Sequence, residues 1–298
     1  GDMTDDDAVR TDGGSVTAGR GFTRANLRNA VGRSVNKLVL AIVVLFLGGP
    51  IILTLVASFA DTWQGVLPSG FITLRHWSTA LGIGETVGVQ RGVGEGLAFS
   101  VMLATGGMLL NIVIGVPVAY ALTRYDFYLR DWLNAFAILP LVPGIILGVA
   151  FLRTYPEQSG TALTLIIGYS LLKSPWLILT VQSTFQSMDL RQLEESARSL
   201  GASWPRAFFR VIVPNAQNGI LAGAIITWTL AAAEFNFTYI VYTRGPRPFA
   251  IFLFNNINNA TFLQAAAAVS IYFLIVAGAI VVLQIAGNKG FSTAREEA

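Results

Sequence analysis

Glu195–Pro214, ESARSLGASWPRAFFRVIVP, is the longest polar and charged passage that lies between two strongly apolar segments. Its local signals describe two short helices meeting at a fixed corner. Asp189 is a good N-cap, with Gln192 three residues on, as in a capping box. Leu190, Leu193, Ala197 and Leu200 then fall at helical spacing and give a narrow apolar face, with Arg191, Glu194, Glu195 and Arg198 around it. Gly201 stops this helix, as glycine does just past a last turn. A second helix restarts with Ser203 or Trp204 as cap and Pro205 in its first turn, where a missing N–H costs nothing. It carries Phe208, Phe209 and Ile212, and Pro214 closes the unit. On these signals alone the passage also fits an ordinary surface loop with two amphipathic turns.

The surrounding composition gives that loop its setting. The 298 residues are 53% hydrophobic and only 12% charged, with a mean hydropathy of +0.60. A soluble domain carries about a quarter charged residues, so the expected class is an all-α, polytopic integral membrane protein. The formal net charge of +3 does not signal nucleic-acid binding, because the basic residues sit in loops flanking apolar runs. Zero cysteines exclude disulfides, iron–sulfur clusters and thiolate metal sites, and one histidine, His76, does not suit an imidazole site. No G-x-x-x-x-G-K-[S/T] occurs, so this chain has no P-loop in which to cradle ATP phosphates. No enzymatic constellation and no cofactor or metal of its own is expected; any ATP and magnesium would be bound by another subunit.

Residues 1–36 read as a polar tail, its first twenty residues disordered, and Gly1-Asp2 ahead of Met3 is set aside from fold reasoning. No short apolar core with a small-residue cleavage site is seen, so no cleavable signal peptide is expected. Six apolar stretches follow, each near the ~20 residues a bilayer-crossing helix needs: Lys37–Ala60, Leu97–Thr123, Leu133–Leu152, Thr161–Ser183, Gly219–Thr243 and Phe262–Ala286. Several are interrupted, by Gly48-Gly49-Pro50, by Gly115 and Pro117, and by Pro140, Pro143 and Gly144, which a membrane bundle tolerates as kinks. This divides the chain into a tail (1–36), a first helix with its outer loop (37–96), a five-helix core (97–286) that includes the loop 184–215, and a C-terminal tail (287–298). The glycine-rich loop Asp61–Gly96 reads as a flexible connector, and Arg244–Thr261 as an interfacial or re-entrant element too short to span. Of 20 Lys and Arg, fourteen lie on the side of the tails and the 184–215 loop and five on the other, with Lys173 inside a span. The positive-inside rule then places both termini and the loop in the cytoplasm.

Two charged side chains fall well inside expected spans, Lys173 in the fourth and Glu234 in the fifth, at a cost of roughly 3 kcal/mol each at mid-bilayer. They either line a substrate route or pair with each other, and Pro175 could unwind the helix around Lys173. Thr227, Glu234 and Thr238 fall on one helical stripe, with Asn236 nearby, and a polar stripe on an apolar helix faces protein or water.

Glu195-Ser196-Ala197, three residues, Gly201, nine residues, Val211, one residue, Val213-Pro214 resembles the "EAA" signature of permease subunits of binding-protein-dependent ABC importers. Ser196, Val211 and Val213 depart from its alanine, isoleucine and leucine, while the spacing is intact. Glu234-Phe235-Asn236 is similar to an element of the family's pathway-lining helix, and Arg247-Pro248 to a region near the outer gate. Phe71–Trp77 and Tyr120–Tyr125 also resemble permease segments, the latter of the polyamine type. The resemblance implies a type I permease fold with a methionine-importer-like core and a location in a prokaryotic inner or plasma membrane. It implies that Glu195, Ala197, Arg198, Gly201, Ala202 and Pro214 couple the chain to an ATPase subunit, and that Glu234, Asn236, Thr227, Thr238 and Lys173 line the substrate pathway. The implied partners are ATP-binding-cassette subunits, a second permease and an extracytoplasmic substrate-binding protein. The implied cargo is a small polar solute of the polyamine, iron, thiamine or phosphonate group, with sugars next. The alternative is an ion-coupled secondary transporter using Glu234 and Lys173; no convincing inverted repeat between residues 37–152 and 161–286 supports it.

Overall fold

The computed structural model describes residues 24–65, 68–81, 91–137, 143–256 and 261–296. The expected disorder of the first twenty residues, residues 82–90 of the glycine-rich loop, and the interruption at Pro140 concern residues outside that set. Two compact units are distinguished, Gly1–Leu53 and Thr54–Ala298. The helix that begins in the first, α1, runs Arg24–Ser58 straight through Gly48, Gly49 and Pro50. Its aliphatic run is exposed, Leu45, Phe46 and Leu47 most of all, as a lipid-facing helix requires.

In the second unit the described part of the Asp61–Gly96 stretch carries structure of its own. A short antiparallel pair, β1 (Ala60–Thr62) and β2 (Ser69–Phe71), leads into α2 (Arg75–Ala80). Trp77 stacks on Phe59 at 5.1 Å and donates its Nε1–H to Ser58 Oγ at 3.2 Å, tying α2 to the foot of α1. The next helix, α3, starts earlier than expected and spans Arg91–Arg124, through Pro117. Then come α4 (Arg130–Ala137), α5 (Gly144–Thr154) and α6 (Ala162–Ser187). The third expected span, Leu133–Leu152, is therefore α4 and α5 rather than one helix, with Pro143 in extended backbone (ψ 135°) as the N-cap of α5. Pro175, by contrast, does not unwind α6, which begins on a Thr161 cap and is unbroken past Lys173.

The 184–215 passage folds as α7 (Leu190–Ser199), α8 (Trp204–Ala207), a π-helical turn (Phe208–Ile212) and α9 (Val213–Asn215). The fifth expected span is broken too, into α10 (Gln217–Ala232) and α11 (Asn236–Val241). A short α12 (Phe249–Asn256) precedes α13, which runs Phe262–Glu296 and so carries helix into the expected C-terminal tail. Among the described residues four helices are long and apolar enough to cross a membrane: Val35–Ser58, Val93–Arg124, Ala162–Ser187 and Phe262–Ile285.

The core is the packing of α3, α6 and α10, around Leu103, Tyr120, Leu165, Leu177, Phe185 and Trp228. Helices can approach this closely where one face is small. Leu177 is wholly buried between Gly115 of α3 and Gly223 of α10, where added Cβ atoms would lie 2.8 and 2.9 Å from its methyls. Buried polar pairs fix the register: Ser170 Oγ donates to Asn111 Oδ1 at 2.8 Å, and Trp228 Nε1–H to Thr105 Oγ1 at 3.1 Å.

Candidate functional site

Two places carry the polar chemistry. The first is the loop. Asp189 caps α7 as its residue type predicts, its Oδ1 accepting the Gln192 N–H at 3.1 Å. The helix stops in a Schellman turn: the Gly201 N–H reaches Arg198 O at 2.9 Å and the Ala202 N–H reaches Ala197 O at 3.0 Å. Gly201 has φ +81° with open space around it, so backbone conformation, not crowding, requires glycine there. After α8 the chain widens into the π turn, where the Val213 N–H bonds Phe208 O. Pro214 has no N–H to continue an α-helical ladder, and the wider turn absorbs that gap.

The buried face of α7 differs from the expected one. Leu190, Glu194 and Ala197 face inward, whereas Leu200 is 89% exposed. Glu194 is only 2% exposed, and both its oxygens are engaged. Oε2 accepts Arg124 Nε–H at 2.7 Å and the Tyr120 hydroxyl at 3.2 Å, while Oε1 accepts from Arg198. Sequence reasoning grouped Glu194 with the solvent-facing charges. The available signal was Arg198 four residues on, and the other cation, Arg124, is 70 residues away. Tyr120 is the hub of this corner, its ring 6.1 Å from Phe185, 6.1 Å from Trp204 and 5.1 Å from Phe208. Glu195 points outward and pairs with Arg191 at 2.8 Å, Ala197 is buried, Ala202 is half-buried and Pro214 exposed. Leu200, Trp204 and Phe209 leave apolar surface uncovered on the same loop.

The second place is the break between α10 and α11. No proline or glycine causes it. Glu234 turns its carboxylate back, Oε1 accepting the Phe237 N–H at 3.1 Å, and so caps α11 with a side chain rather than a helical carbonyl. Its Oε2 pairs with Lys173 of α6, both side chains largely buried. Thr238 Oγ1 donates to Glu234 O at 3.3 Å and lies 2.7 Å from the Tyr169 hydroxyl, completing a polar bridge from α6 to α11. A Cβ on Gly144, the first residue of α5, would lie 2.9 Å from Glu234 Oε1. The three-residue stripe does not exist as one helical face, because the break shifts Thr238 relative to Thr227. Thr227 is fully buried and donates to carbonyls of its own turn at 2.9 and 3.0 Å. Thr238 is also fully buried, whereas Asn236 and Tyr239 are exposed.

The family model for binding-protein-dependent transport system inner membrane components matches residues 111–288, a range that contains both places. A probable molybdenum ABC transporter permease of Haloferax volcanii is 34% identical over 202 residues, covering 64% of this chain and 74% of that protein. A molybdate/tungstate transport system permease of Pyrococcus furiosus is 34% identical over 166 residues, 54% of this chain and 66% of that protein. A putative 2-aminoethylphosphonate transport system permease of Salmonella typhimurium is 28% identical over 235 residues, 77% and 84% of the two chains. Of the cargo group expected from sequence, only the phosphonate appears in these names. The crystal structure of a bacterial ABC transporter involved in importing the acidic polysaccharide alginate superposes with a TM-score of 0.70 over 88% of this chain and 98% of that one. At 16% identity this is a likeness of fold. With the family match spanning the second part of α3, all of α6 and α10, the loop and the broken helix, the chain belongs to the binding-protein-dependent transport system inner membrane components: it is a multi-pass permease of the type I ABC-importer kind, and not an enzyme.

Proposed function

We propose that the chain forms one of two permease halves of an importer for a small oxyanion, of the molybdate, tungstate, sulfate or phosphonate class. Both termini and the 184–215 loop lie in the cytoplasm, an ATP-binding-cassette subunit docks on the loop, and an extracytoplasmic binding protein delivers cargo. ATP and its magnesium belong to the docked subunit. The loop surface carries the docking half of the reading. Leu200, Trp204 and Phe209 leave large apolar side chains uncovered on the loop that also carries the exposed Arg191–Glu195 pair, and a set of uncovered anchors of this kind suits a protein partner. Around them Glu195, Ala197, Arg198, Gly201, Ala202 and Pro214 set the shape of that surface.

The cargo half leans on the relatives named for molybdate, tungstate and 2-aminoethylphosphonate, all oxyanions. Lys173, Glu234 and Asn236 line the route, and Thr227 and Thr238 support it from inside the protein. Family membership sets aside the ion-coupled secondary transporter, since the importer reading uses the same two charges without a gradient. The test is purification from native membranes with all travelling subunits, then reconstitution with the binding protein and ATP. Uptake of labelled molybdate, tungstate, sulfate or a phosphonate is expected. Uptake of a polyamine or sugar instead would overturn the cargo assignment, and a chain that travels without an ATPase subunit would overturn the docking.

A further inference from the structure

We propose that Glu194 is the positioning residue that makes the coupling loop and the cytoplasmic end of α3 move as one body, so that displacement of the loop reaches α3 instead of being absorbed at a joint. The proposal rests on the docking role given to the loop above.

The loop is bounded by two backbone joints. Only Met188 and Asp189 separate α6 from α7, with Met188 in extended backbone (φ −102°, ψ 141°). At the far side Ala216 leaves helical geometry (φ −93°, ψ 2°) before α10 begins. Backbone alone would let the loop swing on these points. Glu194 closes the first joint from the side. Its Oε2 is held by Arg124 Nε at 2.7 Å and by the Tyr120 hydroxyl at 3.2 Å, both on the last turns of α3. Its Oε1 is held by Arg198, on its own helix. The same Tyr120 ring packs on Phe208 at 5.1 Å in the second arm of the loop and on Phe185 at 6.1 Å at the end of α6.

An apolar residue in place of Glu194 could fill the space, but it could slide. A carboxylate shared by two guanidinium groups and a phenol has one geometry, and a buried charge left without partners is expensive, so the register is fixed as well as the contact. Cations at either end of this pair come from different elements, one from the loop and one from the span. That is the arrangement that passes on a small shift rather than absorbing it.

The experiment uses the reconstituted importer with all its subunits. Glu194→Gln keeps the shape and removes the charge. Transport is expected to fall by about tenfold or more, while the ATPase subunit still co-purifies and hydrolysis no longer responds to loaded binding protein. Because the chain has no native cysteine, Arg124→Cys/Glu194→Cys can be joined by a short bismaleimide. The unjoined form is expected to be uncoupled, and joining is expected to restore transport to within about threefold of the unmodified chain. Three results overturn the proposal: Glu194→Gln transports within about twofold of wild type; joining fails to restore transport while the ATPase subunit still co-purifies, meaning the pair need not move as one; or the variants fail to accumulate in membranes, meaning the pair serves folding alone. Failure of the docking role itself would show separately, as loss of the ATPase subunit from the wild-type preparation.

Discussion

Lys173 of α6 and Glu234, at the break between α10 and α11, form an ion pair whose side chains are 15% and 8% exposed. The carboxylate does two jobs there. One oxygen neutralises the ammonium and the other accepts the Phe237 N–H that starts α11. The pair therefore leaves no net charge at the junction, and the break exists because this side chain replaces a helical carbonyl.

Removing one partner leaves the other buried and uncompensated, so Glu234→Gln is expected to destabilise the complex by about 3 kcal/mol while keeping the cap on α11. Glu234→Leu, which loses the cap too, should cost about 1 kcal/mol more. The double variant Lys173→Met/Glu234→Gln should recover about half of the single loss. Thermal unfolding of the purified complex in detergent checks the series. Uptake assays on the same proteins separate a pathway role, in which apparent affinity changes, from a role in folding alone.

Leu177, pinned between Gly115 and Gly223, makes a packing prediction. Gly223→Val should cost about 1–3 kcal/mol through overpacking, and Leu177→Ala in the same chain should restore part of it. Gly278→Ala, where no atom beyond its own stretch of helix lies within 4 Å of the added methyl, is the control and should not destabilise. Unfolding temperatures of the three variants decide it.

Gly201 isolates backbone strain from crowding, since its φ is +81° and its surroundings are empty. Gly201→Ala is expected to lose about 1 kcal/mol, and Gly201→Asn less, because asparagine enters the left-handed region more readily. The readout is thermal unfolding paired with retention of the ATPase subunit.

The exposed anchors should matter for binding and hardly at all for folding. Leu200→Glu and Phe209→Glu remove side chains that make little of the core, so the chain should accumulate normally in membranes. Retention of the ATPase subunit should fall by about thirtyfold if either is a central contact. Loss of membrane accumulation instead would refute their assignment to a docking surface.

Much of the loop was legible because its signals are local. Asp189, Gly201 and Pro205 each act on neighbours a few residues away, and the structure places each in its expected cap, stop or first-turn position. Glu194 was not legible, because what buries it is Arg124 and Tyr120 on a helix end distant in sequence. Pro50 and Pro117 are tolerated within their spans, as expected, whereas unwinding at Pro175 does not occur. Pro50, Pro117 and Pro175 stand inside continuous helices, where packing and the apolar setting outweigh a missing hydrogen bond. The fifth span breaks instead at Ala233–Phe235, where the sequence offers no breaker and the cause is a carboxylate answering a lysine from another helix.

The π turn at Phe208–Ile212 also fixes an angle. It holds one residue more than an α-helical path of equal rise and turn, so the surplus residue is taken up inside it and the loop surface before it keeps its phase relative to α10 after it. Deleting one residue there would let the turn relax to α-helix with its ends still hydrogen-bonded. Trp204 and the rest of the α8 surface would keep their direction to within roughly 10–20° about the helix axis, because the wider turn covers about the same angle with one residue more. The turn thus lets Gly201 and Pro214 stand one residue further apart in sequence without changing the direction in which a partner is met.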